Sequence, residues 1–271
     1  MRILILGDIV GRSGRRAVAD HIQTLKARLS PEFIVINGEN AAGGFGITEA
    51  IYSEIIDLGI DAITLGNHAF DQREALVFIT RVDRLIRPIN FPDGTPGPGA
   101  ALIPTQDGRQ VLVINALGRV FIDGFDDPFR MVEREVDACP LGEMADAVIL
   151  DFHAEATSEK QALAAFLDGR VSAIVGTHTH APTSDHRVMP GGTAFVSDLG
   201  MCGDYDSVLG MDKAEPVHRF LHKIPSSRFE PSKGDGTVSG VFVETDDETG
   251  LAKRIAPVRI GGALEQTIPE V

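Results

Sequence analysis

Short apolar runs recur along this chain, each closing on a glycine or an acid and then on a polar side chain able to bind metal or move a proton. Ile3-Leu4-Ile5-Leu6 ends at Gly7-Asp8, and Phe33-Ile34-Val35-Ile36 ends at Gly38-Glu39-Asn40. Ala62-Ile63-Thr64-Leu65 ends at Gly66-Asn67-His68. Ala147-Val148-Ile149-Leu150 leads into Asp151-Phe152-His153, and Val171-Ser172-Ala173-Ile174-Val175 into Gly176-Thr177-His178-Thr179-His180. Runs this short and this continuously apolar fit strands buried on both faces.

Between the first runs the apolar period changes from that of a strand to that of a helix. Val18, Ile22, Leu25 and Leu29 recur at three- and four-residue spacing, which predicts a helix opening near Gly11–Gly14 and stopping before Pro31. Thr48 and Glu49 read as the start of a second helix, Ala50 through Leu58. Asp71 reads as the cap of a third, carrying Leu76, Val77, Ile79 and Val82. Three strand–loop–helix units in a row predict an α/β protein whose sheet begins largely parallel.

The middle differs. After a turn-rich stretch at 92–99, Ala101-Leu102-Ile103 and Val111-Leu112-Val113-Ile114 flank Asp107-Gly108 and predict a hairpin. Helices at 128–136 and 158–167, a strand at 193–196 and a last hairpin from 238–244 to 252–260 follow. Residues 201–236 carry no strong period and read as a surface excursion or small cap. No charged or Pro/Ser-rich linker interrupts the chain, so residues 1–271 are expected to form one domain.

Charge narrows the partners. The formal net charge is −14 and the isoelectric point about 4.9, which argues against a surface that neutralises a row of phosphates on a polynucleotide. A small anionic substrate remains compatible, because bound cations reverse the field locally. Cys139 and Cys202 are too few for a disulfide framework and read as free thiols in a reducing compartment. An apolar run begins at once and none approaches the length of a membrane span, so the expected location is cytoplasmic, away from the membrane.

In an open α/β sheet, ligands bind beyond the carboxyl ends of the strands. Those ends deliver Asp8, Glu39, Asn40, Asn67, His68, His153, His178 and His180. Taken singly, each has an ordinary use as a turn residue, a cap or a satisfied histidine. Their coincidence at successive strand ends points to a site for two metal ions, and a mixed carboxylate, amide and imidazole set suits manganese, iron or zinc.

The ordered series of Gly7-Asp8, Gly38-Glu39-Asn40, Gly66-Asn67-His68, His153 and Gly176 to His180 resembles the calcineurin-like metallophosphoesterases. In these the motifs run GDxH, GDxxD, GNH followed by an acid, H and GHxH. Val10 stands where that family has a histidine, Glu39 where it has an aspartate, and Ala69 where it has an acid. These departures, with Gly7-Asp8-Ile9-Val10-Gly11 and Asn37-Gly38-Glu39-Asn40, are similar to one branch, the YmdB-like phosphodiesterases.

The resemblance implies a four-layer α/β/β/α sandwich and a dinuclear centre, often of iron or manganese. It also implies hydrolysis of small cyclic nucleotides, 2′,3′-cyclic AMP in particular. Carried over, Asp8, Asn40 and His180 would hold one metal, Asn67, His153 and His178 the other, and Glu39 would bridge them. Asn40 would replace the ligand lost at Val10. Ions roughly 3.5–4 Å apart share a hydroxide that attacks phosphorus, and His68 would protonate the leaving oxygen. The sequence leaves two alternatives open: a phosphomonoesterase or nuclease using the same site, or a metal-bound regulatory protein acting through a partner, a second copy of itself included.

Overall fold

The structure, a computed structural model, describes residues 1–122 and 125–271. Strand β1 (Arg2–Ile9) shows why its run is apolar throughout. Ile3 and Ile5 point into one core and Leu4 and Leu6 into another, because successive side chains of a strand leave on opposite faces. The same division holds along β2 (Phe33–Asn37): Val35 joins the first core, Ile34 and Ile36 the second. Strands β3 (Ala62–Thr64) and β4 (Leu85–Ile86) continue this sheet in parallel.

A second sheet is built from β5 (Ala100–Pro104), β6 (Gln110–Leu117), β7 (Ala147–His153), β8 (Ala173–Thr177), β9 (Arg187–Val188) and β10 (Ala194–Val196). Its order is β5-β6-β7-β8-β10-β9, with β6, β7, β8 and β10 parallel. Strand β11 (Met201–Cys202) returns to pair with β1 at Asp8 and Ile9. The hairpin of β12 (Val238–Thr245) and β13 (Ala252–Ile260) completes the first sheet as β13-β12-β1-β2-β3-β4.

Three cores separate four layers. Ile5, Val35, Val113, Ile149 and Val175 fill the space between the sheets. Outside the first sheet, Val18, Ile22 and Leu25 of α1 (Gly11–Leu29) and Ile55 of α2 (Glu49–Asp57) cover Leu4, Leu6 and Ile34. Outside the second, Val132 of α4 (Pro128–Ala138) and Leu163 and Leu167 of α5 (Thr157–Leu167) cover Ile114, Leu150 and Phe152. This is the α/β/β/α sandwich expected from the sequence. No helix among the described residues is long and apolar enough to cross a membrane.

The helix boundaries follow local chemistry with one correction. Ser30 ends α1 in a left-handed conformation ahead of Pro31, and the Thr48 hydroxyl accepts from the Ile51 amide to cap α2. Asp71, expected as a helix cap, caps nothing. The third helix is only α3 (Ala75–Phe78) with a 3₁₀ turn at Ile79–Arg81, and the Asp71 carboxylate turns instead to His68. Residues 201–236 hold β11 and α6 (Ala214–His222). The buried Glu215 carboxylate accepts from the amides of Ser226 (3.0 Å) and Ser227 (2.9 Å), folding the segment after α6 back onto it.

Candidate metal centre

The glycines before the polar residues let backbones approach where side chains must meet. A Cβ on Gly66 would fall on the Glu39 carboxylate and the His153 ring, and one on Gly176 would fall on the Ser197 carbonyl. A Cβ on Gly7 would overlap the Gly200 carbonyl at the point where β1 shifts register against β2. Parallel register then carries the strand ends to one edge.

His153 is the centre of the convergence. Its Nε2 lies 2.9 Å from Glu39 Oε1, 3.2 Å from Asn67 Oδ1 and 3.0 Å from His178 Nδ1. Its Nδ1 lies 2.8 Å from Thr177 Oγ1, whose own proton goes to Asp151 Oδ1 at 2.6 Å. A hydroxyl that donates to a carboxylate must accept from the ring, so Nδ1 carries a hydrogen, and in the neutral ring the Nε2 lone pair faces the site. Asn37 and Thr64 donate to the other Asp151 oxygen, which keeps that buried carboxylate satisfied.

A second meeting point lies beside the first. His180 Nδ1 is 3.0 Å from the Leu209 carbonyl, which can only accept, so the neutral ring turns its Nε2 lone pair to Asn40 Oδ1 at 3.2 Å. Asn40 Nδ2 donates to the Gly44 carbonyl, and this fixes which end of the amide faces the histidine. Asp8 is fully buried. Its Oδ1 has no hydrogen-bond partner and lies 3.6 Å from His153 Nδ1. Val10, standing where the resembled family has a histidine, is buried beside Gly203 and Gly210.

These contacts do not work as hydrogen bonds alone. One proton on His153 Nε2 can serve only one of the three acceptors around it, and in the tautomer that donates to Leu209 the His180 Nε2 lone pair faces the lone pairs of Asn40 Oδ1. A cation at each point satisfies all of them, so the residues fit metal ions. Ligating atoms of Glu39, His153 and His178 lie within 4.8 Å of one another.

Electrostatics agree. Burial pushes Asp8 up to about 7 despite the pull of His180 and His153. Burial would also raise Glu39, but the charge and hydrogen bond of His153, helped by His68, bring it down to about 2. Burial favours a neutral His153, yet Glu39 and then Asp8 raise it to about 9. Burial and then the charge of His153 depress His178 to about 4. The buried carboxylates thus demand positive charge, which a bound cation supplies in place of protons.

The histidine pair sits on strained backbone. His178 and His180 have φ of 95° and 63°, conformations that cost on the order of 1–3 kcal/mol each and persist only when the surroundings impose them. Asp198 imposes them here: its Oδ2 accepts from the Thr179 amide (3.1 Å) and hydroxyl (2.7 Å), and from the buried Lys160 ammonium at 2.8 Å. Asp151 and Asp198 therefore hold the histidines through Thr177 and Thr179 rather than by touching their ring nitrogens.

A cavity of about 470 Å³ opens over these groups, with Glu39, Asn40, His68, His178 and His180 on its floor. His68 is half-buried, its Nδ1 2.8 Å from Asp71 Oδ2 and its ring edge-on to Phe45 at 5.1 Å. Glu155 Oε2 lies 3.3 Å from His178 Nε2. Sequence reasoning missed Asp71 as a partner of His68, and missed Glu155, Thr177 and Lys160 altogether. The acid absent at position 69 is the one signal that points to Asp71.

Comparison with known proteins follows the same line. The model of the YmdB-like protein family matches residues 4–258. The chain is 46% identical over 260 residues to a 2′,3′-cyclic-nucleotide 2′-phosphodiesterase of Bacillus subtilis, spanning 96% of this chain and 97% of that one. It is 34% identical to a putative phosphatase/phosphodiesterase of Mycoplasma genitalium, over 96% and 93% of the two chains. Among solved structures, a hypothetical protein from Thermus thermophilus superposes with a TM-score of 0.89 at 37% identity, covering 97% of this chain and 100% of that one. A Mycoplasma pneumoniae protein described as a novel phosphatase superposes at 0.88 with 30% identity, over 96% and 93%.

Proposed function

This chain belongs to the YmdB-like family, and on that premise we propose that it is a metal-dependent phosphodiesterase hydrolysing small cyclic nucleotides of the 2′,3′ type. The observation that carries the reading is the crowding of unprotonated acceptors around His153 Nε2 and between His180 and Asn40 at the floor of an open cavity. Asp8, Asn40 and His180 would hold one cation, Asn67, His153 and His178 the second, and Glu39 both. Two such ions, manganese, iron or zinc by the chemistry of the donors, would supply the Lewis acidity that makes water nucleophilic at neutral pH and neutralises phosphate charge.

The chain's own groups do the rest. Thr177 and the Leu209 carbonyl keep His153 and His180 in the tautomers that present Nε2. His68 delivers a proton from Nε2 to the departing ribose oxygen, and Asp71, against Nδ1, stabilises the imidazolium before that transfer. The product is a nucleoside monophosphate.

Protein loaded with manganese or iron is expected to turn over 2′,3′-cyclic nucleotides faster than monoesters or oligonucleotides, with metal content measured alongside. His68→Ala should keep its metal and lose turnover by about 10²–10⁴-fold. Full turnover in that variant removes His68 as the acid. A loaded protein that prefers monoesters would shift the reading to a phosphatase, and one inert to every ester would end it.

A further inference from the structure

The cavity has two unlike halves. The candidate metal ligands make part of its lining polar, and the remaining wall includes Phe45, Met211, Phe220 and Phe229, with Arg219 and Lys223 among them. We propose that this wall is a stacking surface for the nucleobase, with Phe220 as its open face; the proposal rests on the cyclic-nucleotide reading above.

The volume admits more than a phosphate: about 470 Å³ lies in the range, roughly 300–1,000 Å³, that holds whole small-molecule ligands. Phe220 lines the cavity yet is 75% exposed, so a flat ring laid over it removes apolar surface from water. The neighbouring part of the wall is cross-linked. The Arg219 guanidinium lies 3.9 Å over the Phe229 ring, while its Nε donates to Glu215 (2.6 Å) and one terminal nitrogen to the Ser227 carbonyl (2.8 Å). Those donors are committed within the wall; Lys223 adds an exposed ammonium to the lining, and the rest is mainly π surface and methyl groups.

A surface of this kind recognises the face of a base and reads little of its hydrogen-bonding edge. The enzyme therefore selects phosphodiesters by whether they carry an aromatic base, with weak discrimination between purine and pyrimidine.

The test compares 2′,3′-cyclic AMP with the base-less 2′,3′-cyclic phosphate of methyl riboside. In Phe220→Ala the ratio of the two kcat/KM values should fall about tenfold, near the low end of what base stacking loses on alanine substitution, and Phe220→Trp should restore it. The chain has no tryptophan, so Phe220→Trp also introduces a single tryptophan that can be excited apart from the tyrosines. Adenosine monophosphate should quench it, and ribose 5-phosphate should not. An unchanged ratio, or equal quenching by both ligands, overturns the proposal. So does a Phe220→Ala variant whose ratio is native and whose only change is in oligomeric state, because the exposed face would then serve a second copy. Quenching by the nucleotide in a loaded protein that hydrolyses neither substrate would retain the wall and reject the cyclic-nucleotide activity.

Discussion

Replacing Lys160 by methionine tests how the histidine pair is held. Lys160 and Asp198 are 2% and 1% exposed, with Nζ 2.8 Å from Oδ2. Methionine keeps an apolar stem against Gly176 and removes the charge, leaving a buried carboxylate with the Thr179 amide and hydroxyl and the Gly200 amide as donors. Breaking a buried pair from one side costs about 3–5 kcal/mol, and the remaining donors place this case near the lower bound. A loss of ~3 kcal/mol lowers the melting temperature by about 6–12 °C in a domain of this size class. Asp198 also fixes Thr179 between two strained histidines, so metal affinity should fall by about 10–100-fold. Urea and thermal unfolding in chelator isolate the first effect, and titration with manganese isolates the second. Lys160→Met/Asp198→Asn should recover most of the stability, because it removes the orphaned charge while keeping hydrogen-bonding atoms. A single variant within ~1 kcal/mol of the native protein, with native metal affinity, would refute the argument that this pair carries the turn.

Other perturbations probe neighbouring contacts. Gly66→Ala sets a methyl group onto Glu39 and His153; elemental analysis after dialysis should find the metal lost while circular dichroism retains the fold. Thr177→Val strips the hydroxyl between His153 and Asp151 and should weaken metal binding by about 10–100-fold, whereas Thr177→Ser should stay close to native in the same titration. The metal-free protein should lose stability as pH rises above about 6.5. His153, raised from 6.5 to about 9, contributes stability that is complete below 6.5 and lost as pH climbs through about 9. Asp8, raised from 3.8 to about 7, contributes stability that is complete below 3.8 and lost through about 7. Glu39, lowered from 4.5 to about 2, and His178, lowered from 6.5 to about 4, act in the opposite sense: their contributions are complete above 4.5 and 6.5 and fade as pH falls through about 2 and 4, so below pH 6.5 His178 offsets Asp8. Melting temperatures in chelator should decline between about pH 6.5 and 9 and flatten with manganese, since the cation replaces the protons; a flat profile over that interval in chelator would count against this account.

How far the sequence reaches depends on whether a feature is local. Continuous apolar runs such as Ile3 to Leu6 and Ala147 to Leu150 reveal strands buried on both faces, because a strand covered on both sides has no room for polar alternation. Glycine directly before Glu39 and Asn67 marks where the backbone leaves the sheet, and Gly7 before Asp8 marks where β1 shifts register, so the candidate side chains can be named. Asp71 exposes the limit. An aspartate ahead of an apolar run looks like a cap, and only the packed structure turns it to His68. Lys160 is equally silent: a lysine inside an amphipathic helix reads as solvated, and its burial follows from the approach of α5 to Asp198 across β8. Phe220 lies on the short helix α6, but nothing in its local sequence says that this helix packs beside the cavity, so its place in the lining follows from long-range packing.

The order of the chain alone determines which residues stand at the strand ends, since burial on alternate faces is written in the type of each residue. Tertiary structure decides which of them meet. Parallel register aligns the ends on one edge, two sheets pack face to face, and the resulting distances set tautomers, charge and the aromatic wall. Local pattern encodes the surface each element must hide, but contact between distant elements depends on how those surfaces fit, and the fit is a property of the whole packed chain.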